Sequence, residues 1–180
     1  MVLKSSRTRF GAVAIALHWI TALLLVGALG SGFRAADTVE PSTKIQLLAI
    51  HIPLAVAAIG LTLVRIFWWL FVDKKPAPLI NTPNWQHRGA GAVHLLFYIV
   101  ILGMGVSGIG MFVLSGAGPL VFAGVEGQLP NFWEYQPRFP HSIGAKLFVA
   151  LLIAHTGAAL YHHFVLSDDL IWRMWFGKQN

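Results

Sequence analysis

The chain has no cysteine. This excludes disulfide bonds, thiolate metal sites and iron–sulfur clusters with ligands from this chain, so any metal that it binds has nitrogen or oxygen ligands. Charged residues are also scarce, because they make up only 11% of the 180 residues, against about a quarter in typical soluble domains. A composition so poor in charge excludes an ordinary soluble globular domain.

Long apolar stretches take the place of the missing charge. Hydrophobic residues make up 56% of the chain, and the mean hydropathy is +0.67. A helix crosses a bilayer with about 20 apolar residues, and four stretches reach that length: about 11–32, 45–72, 90–114 and 142–166. We therefore predict an all-α fold, in which residues 1–180 form one integral membrane domain of four transmembrane helices.

The lysine and arginine residues indicate the orientation of these helices, because such residues concentrate on the cytoplasmic side of a membrane. Nine of them lie on the side of the N-terminus and four on the opposite side. We therefore predict that both termini face the cytoplasm. The net charge of +6 largely reflects this asymmetry, and no pattern of basic and aromatic residues indicates a nucleic-acid partner.

Four of the histidines that lie in the apolar stretches or directly next to them fall at two depths. His141 and His155 are fourteen residues apart, so they share one face of the fourth helix and are separated by about 21 Å along its axis. His51 lies near the outer end of the second helix, at the depth of His141, and His18 lies in the inner half of the first, at the depth of His155. Depth alone therefore pairs His51 with His141 and His18 with His155.

Paired histidines across a helix bundle are typical of bis-histidine ligation of a planar macrocycle. Zinc usually takes three or four protein ligands in a tighter cluster, and a transporter of metal ions or protons usually has carboxylates within the membrane. A hydrogen bond to a neighbouring helix explains many single intramembrane histidines, but not two depth-matched pairs. We therefore predict two haem b groups, bound without covalent links because the chain has no Cys-x-x-Cys-His motif.

Two basic residues within the spans are candidates for contacts with the haem propionates. Arg65 lies fourteen residues after His51, on the same face but at the inner end of the second helix. There it either binds propionates of the inner haem or extends to lipid phosphates. Lys146 lies near the outer haem and either extends to the interface or neutralises a propionate. We assign Arg65 to cofactor binding and Lys146 to the outer site as a charged group.

Three further histidines lie near the inner end of the helices. His162 follows His155 by seven residues, on nearly the same face and about 10 Å further inward, where an imidazole can donate a hydrogen bond and relay a proton to a quinone headgroup. His94 is assigned to cofactor binding, because it either positions a ligand, lines the quinone pocket or is an alternative inner ligand. His163 points about 100° away from His162 and is assigned to the membrane interface.

Four segments resemble the bacterial-type cytochrome b561 family: ALHWI, IHIPLAVAAIGLTLVRIFW, VHLLFYIVILGMGVSG and PHSIGAKLFVALLIAHTGAALYHHFVLSDDLIWRM. The resemblance covers essentially the whole chain, and the fourteen-residue histidine spacing followed by HHF, DD and RM is its most specific part. In that family, and in related cytochrome b subunits of hydrogenases and formate dehydrogenases, histidine pairs from helices one and four and from helices two and four hold two haems b. The resemblance thus implies the same pairs, His18 with His155 and His51 with His141, in a multi-pass protein of the bacterial inner membrane.

The resemblance also implies electron transfer to or from the quinone pool. This short form is similar to a superoxide:ubiquinone oxidoreductase, which implies that superoxide is oxidised at the outer face and that ubiquinone is reduced at the inner side, near His162. The partners would then be the lipid bilayer, quinone and superoxide. The alternative is a membrane-anchoring cytochrome b subunit that accepts electrons from a separate dehydrogenase or hydrogenase, and a stoichiometric partner subunit would favour it.

Overall fold

The computed structural model describes residues 2–78, 83–168 and 170–175. All regular elements in these ranges are helical, and four of the helices are long and apolar enough to cross a membrane, which confirms the predicted all-α membrane bundle. The elements are α1 (Ala12–Asp37), α2 (Pro41–Phe67, continued by a π-helical turn at Trp68–Val72), α3 (Asn84–Ser115), α4 (Gly118–Phe122) and α5 (Arg138–Phe164), with 3-10 turns at Phe132–Glu134 and Trp172–Met174.

Three spans begin before the apolar stretches that predict them. α2 begins at Pro41, α3 at Asn84 and α5 at Arg138. Hydropathy marks only the part of a helix that suits the hydrocarbon layer, which is about 20 residues long. The backbone hydrogen bonds of these helices continue into polar flanking residues, so each helix extends past its apolar stretch.

The turn between α1 and α2 is short because Glu40 caps the second helix. Its carboxylate accepts hydrogen bonds from Thr43 N at 2.6 Å, from Ser42 N at 3.0 Å and from Ser42 Oγ at 2.8 Å, and Pro41 occupies the start of the helix. Hydrogen bonds from Thr43 and then Ser42 lower the pKa of Glu40 to about 2. The cap lets the chain reverse within residues 38–40, so α1 and α2 form an antiparallel hairpin.

The bundle consists of two helix pairs. α1 packs along α2 and α3 packs along α5, while α2 also contacts α3 and α4. The α3–α5 pair encloses a small apolar core of Val100, Ile101, Phe148 and Leu151. In a bilayer, close packing and interhelical hydrogen bonds hold such helices together, because lipid is as apolar as the side chains. Histidines from the two pairs meet between them.

Large apolar side chains cover the outside of the spans. Leu23 of α1, Val106 of α3 and Ile153 of α5 are 71%, 74% and 68% exposed. In water an apolar surface of this extent would indicate a binding site or cause aggregation. On helices of this length it is the surface expected to face lipid.

The side of the bundle that carries the N-terminus is here called the N-terminal end, and the opposite side, with residues 38–40 and 116–137, is called the loop end. Polar contacts join the chain segments at the N-terminal end. Asp73 Oδ2 accepts hydrogen bonds from Ser5 N at 2.9 Å, Ser5 Oγ at 2.8 Å and Trp68 Nε1 at 3.2 Å. Burial acts to raise the pKa of Asp73, but the hydrogen bonds that it accepts outweigh burial and lower the pKa. The N-terminal segment is thereby fixed to the end of α2.

Arg173 attaches the segment after α5 to the same end. Its buried guanidinium donates from Nε to the carbonyl oxygen of Thr8 and from Nη2 to that of Ala77, both at 2.7 Å. Burial lowers the pKa of Arg173. Trp19 of α1 adds a hydrogen bond from Nε1 to the carbonyl oxygen of Met174 at 2.8 Å. Residues 165–168 and 170–175 therefore fold back toward α1 and the segments that precede α1 and follow α2.

Candidate functional site

His51 of α2 and His141 of α5 face each other toward the loop end. Their ring centres are 6.2 Å apart and their planes cross at 80°. His51 Nδ1 donates to the carbonyl oxygen of Ala28 at 2.7 Å, and His141 Nδ1 donates to that of Met104 at 3.1 Å. Because a carbonyl oxygen only accepts, each ring carries its hydrogen on Nδ1 and keeps on Nε2 the lone pair that binds a metal.

A glycine makes room for each of these two rings. A Cβ at Gly32 would lie 2.8 Å from His51 Cε1, and a Cβ at Gly108 would lie 3.2 Å from His141 Cε1. Both glycines come four residues after the residue whose carbonyl the ring contacts, and residues four apart lie one above the other on a helix face. The missing side chain therefore lets the imidazole approach the backbone of α1 or α3.

Three histidines converge toward the N-terminal end. The ring centre of His155 lies 6.3 Å from that of His18 and 5.5 Å from that of His94. His18 Nδ1 is buried, and the described residues offer it no hydrogen-bond partner. The structure brings both the predicted partner His18 and the alternative His94 to His155, so either assignment of the inner ligand stays a prediction.

The spacing of both pairs suits two imidazoles on one metal ion. A metal–nitrogen bond of about 2 Å, with about 1 Å more to the ring centre, puts two opposed imidazoles about 6 Å apart between centres. The observed separations are 6.2 Å and 6.3 Å. Across residues 2–78, 83–168 and 170–175, no three histidine or acidic side chains group as a metal site. Each pair would therefore supply two nitrogen ligands, which fits a haem whose macrocycle would supply the remaining ones.

A positive charge lies beside the inner histidines. Arg65 of α2 acts electrostatically on His18, His94 and His155, and its buried Nε has no hydrogen-bond partner in the described part of the chain. Burial and then the charge of Arg65 lower the pKa of nearby Lys75. A guanidinium whose buried Nε has no partner among the described residues fits an anionic group such as a haem propionate, so the residues present suit the role predicted for Arg65.

Two basic residues of α5 differ in their relation to His141. Lys146 follows His141 by five residues, about 140° round the helix, and its side chain is exposed. Arg138 acts electrostatically on His141, and its guanidinium packs over the ring of Trp133 at 4.6 Å. Of these two residues, Arg138 is thus the one whose charge acts on His141, and the role assigned to Lys146 stays a prediction.

His162 has a partner that the sequence analysis did not identify. Its Nδ1 lies 2.5 Å from Oδ2 of Asp168, which follows the end of α5. Ser167 has a φ of 51°, a left-handed conformation that turns the chain back toward the helix. The segment HHFVLSDD contains both residues, but helical spacing does not predict a contact beyond the last helical turn. His163 packs against Trp172, with ring centres 5.9 Å apart.

The four-span bundle with histidines facing each other at two depths defines a class, the membrane cytochromes of the b type. Residues 9–177 match the family model described as prokaryotic cytochrome b561, and the chain belongs to that family. This confirms the resemblance seen in the sequence. The protein is a multi-pass membrane protein of a haem-binding family that transfers electrons.

Several curated relatives are similar over nearly their whole length. "Cytochrome b561 homolog 1" of Escherichia coli (strain K12) is 25% identical over 92% of this chain and 96% of its own. "Probable superoxide oxidase CybB" of Yersinia pestis is 26% identical over 92% and 95%. "Cytochrome b562" of Cereibacter sphaeroides is 28% identical over 89% and 90%. These relatives share the length of this chain as well as its family.

Proposed function

We propose that this protein transfers electrons across the bacterial inner membrane through two haem b groups and delivers them to the quinone pool. The observation that carries this proposal is the presence of two facing histidine pairs, with ring centres 6.2 Å and 6.3 Å apart. The two histidines of α5 lie about 21 Å apart along a helix, in a hydrocarbon layer of about 30 Å. Two such sites support a path from one membrane face to the other.

The side chains of this bundle would hold the two groups without covalent links. His51 and His141 would bind the outer haem, and His155 would bind the inner one together with His18, or with His94 as the alternative. Arg65 would bind a propionate of the inner haem. When bound, each haem supplies an iron that accepts and releases one electron. The protein would supply imidazole nitrogens to each haem, and backbone carbonyls fix the two outer rings.

The proposed electron donor is superoxide, at the predicted outer face, and the proposed acceptor is ubiquinone, beside His162. The name of the Yersinia pestis relative supports the donor, and Arg138 and Lys146 would attract an anion to the loop end. Two superoxide anions, one quinone and two protons would give two dioxygen molecules and one hydroquinone. The two protons would be taken up at the N-terminal end, near His162.

The purified protein tests this proposal in two steps. A sharp reduced α band and two haems per chain are expected, and a colourless protein that takes up no haem would contradict the scheme. With ubiquinone present, a superoxide source should then produce hydroquinone, and added superoxide dismutase should abolish that production. A protein that binds both haems, forms no hydroquinone and co-purifies with a stoichiometric dehydrogenase or hydrogenase would instead be a membrane-anchoring cytochrome b subunit.

A further inference from the structure

The segment after α5 folds back and places the carboxylate of Asp168 beside His162. Asp168 Oδ2 lies 2.5 Å from His162 Nδ1, and Asp168 Oδ1 accepts a hydrogen bond from Leu170 N at 2.9 Å. The backbone N of Asp168 donates to the carbonyl oxygen of His162 at 3.2 Å. The carboxylate is therefore held on both oxygens, and its position relative to the imidazole is set by the backbone as well as by the side chains.

The backbone conformation of Ser167, between α5 and Asp168, turns the chain back toward His162. Ser167 has a φ of 51°, in the left-handed region that glycine usually occupies at the end of a helix. Residues in such conformations persist where the surrounding structure requires them, and they cluster at functional sites. Here the strain accompanies one specific contact, because the residue that follows Ser167 is the one that meets His162.

We propose that Asp168 and His162 form the proton-uptake dyad of the quinone site, an inference that rests on the proposed reduction of quinone. The carboxylate keeps a hydrogen on His162 Nδ1, so Nε2 is the nitrogen left for a substrate. In such a dyad the carboxylate also stabilises the imidazolium that forms when Nε2 is protonated. Asp168 is thus a positioning residue, and His162 is the residue that donates the proton.

The proton and electron balance assigns a role to each group. Reduction of one quinone takes two electrons, delivered one at a time from the donor side of the bundle, and two protons. Each proton leaves His162 Nε2 as an O–H bond forms on a quinone oxygen, and water at the N-terminal end protonates the imidazole again. The side chains of His162 and Asp168 are 17% and 23% exposed, so they lie between the interior and the solvent.

Arg173 is a positively charged group that acts electrostatically on Asp168. Arg173 donates its hydrogen bonds to the carbonyl oxygens of Thr8 and Ala77. These bonds therefore do not compete with His162 for the carboxylate of Asp168. Arg173 thereby attaches residues 170–175, which follow the dyad, to the segments that contain Thr8 and Ala77. The dyad therefore depends on the closed N-terminal end.

Asp168→Asn tests the dyad because the amide oxygen still accepts from Nδ1 while the charge is lost. We expect the maximal rate of hydroquinone formation to fall about tenfold to a hundredfold, as for the loss of a partner that orients a functional histidine. The dissociation constant of a short-chain ubiquinone, measured by quenching of tryptophan fluorescence, should change by less than about twofold. Asp168→Ala should lose the rate as well, and added formate should restore part of it, because a small carboxylate can replace the missing one.

Asp37→Asn is the matched control, because Asp37 is an exposed carboxylate at the end of α1, on the loop side. It should behave as the wild type, and every variant should keep its haem content and unfolding temperature. An unchanged rate in Asp168→Asn, or a loss that comes only from weaker quinone binding without rescue by formate, overturns the dyad. If the wild-type protein reduces no quinone, the proposed function itself fails and the dyad with it.

Discussion

His51 and His141 are held in the same way from opposite sides of the bundle. Each donates from Nδ1 to the carbonyl oxygen of a residue on an adjacent helix, and each ring lies against the glycine four residues further along that helix. A hydrogen bond from the second ring nitrogen to a carbonyl orients a metal-binding histidine and makes it a better ligand. The backbones of α1 and α3 therefore set the orientation of the outer pair.

The glycine beside His51 gives the first prediction. Gly32→Ala would place a Cβ 2.8 Å from Cε1 and 2.9 Å from Nδ1 of His51, so the ring must shift and its bond to Ala28 must weaken. We expect loss of the outer haem or a tenfold to hundredfold weaker affinity for it, roughly the effect of removing such a supporting contact. Haem titration of the apoprotein measures this affinity.

Gly30→Ala is the control for this substitution. A Cβ at Gly30 has nothing within 4 Å, and alanine stabilises a helix by about 0.5–1 kcal/mol relative to glycine. Gly30→Ala should therefore bind both haems normally. Equal affinities in the two variants would show that the close approach of Gly32 to His51 has no role in haem binding.

The inner ligands give the second prediction. His155→Ala removes the residue that both His18 and His94 face, so one haem should be lost while the outer haem remains. Comparing His18→Ala with His94→Ala then identifies the partner of His155, because only the variant that lacks the true ligand should contain one haem per chain. Haem extraction and reduced spectra give the count. Loss of both haems from a folded His155→Ala protein would contradict the pairing by depth.

The third prediction concerns the charge of Arg65. Reduction adds an electron to the inner haem, so a nearby positive charge stabilises the reduced form. Arg65→Gln should lower the midpoint potential of that haem by on the order of 50 mV, which corresponds to about 1 kcal/mol for one electron. Arg34→Gln, on an exposed side chain at the other end of the bundle, should leave it unchanged. A potential that responds equally to both substitutions would exclude a local effect of Arg65.

The fourth prediction is a pH dependence at the N-terminal end. Hydrogen bonds outweigh burial and hold the pKa of Asp73 below its ordinary value of 3.8. A lowered pKa in the folded state means that the carboxylate stabilises the fold above pH 3.8 and that this stabilisation is lost as the pH falls further. The protection factor of the Ser5 amide, which is its exchange rate corrected for the intrinsic effect of pH, should therefore fall below pH 3.8 and stay constant near neutrality.

Asp73→Asn tests the same attachment at neutral pH. Hydrogen bonds to a charged group contribute about 1.5–3 kcal/mol each, so the variant should expose the amide of Ser5 to faster exchange. Glu126→Gln, an exposed carboxylate of the loop end, should not change it. Protection of Ser5 that survives in Asp73→Asn would assign the attachment of the N-terminal segment to other contacts.

Much of this bundle is predictable because a helix has a fixed rise and a fixed turn per residue. Four apolar stretches determine four spans, and fourteen residues between His141 and His155 determine two depths on one helix face. The positions of His51 and His18 along their own apolar stretches likewise place His51 at the outer depth and His18 at the inner one. No knowledge of how the helices pack is needed for these steps, since depth depends only on position along each helix.

The tertiary structure decided the contacts that depend on how helices rotate and shift against one another. The approach of His94 to His155, the carbonyls that orient the outer rings and the glycines that make room for them all join different helices. The return of Asp168 to His162 depends on a left-handed residue after the last helical turn, where periodicity no longer applies. The sequence by itself thus determined the fold class and the depths of the histidines. Packing and one turn decided which groups touch them, because helical spacing constrains residues along one helix but not between two.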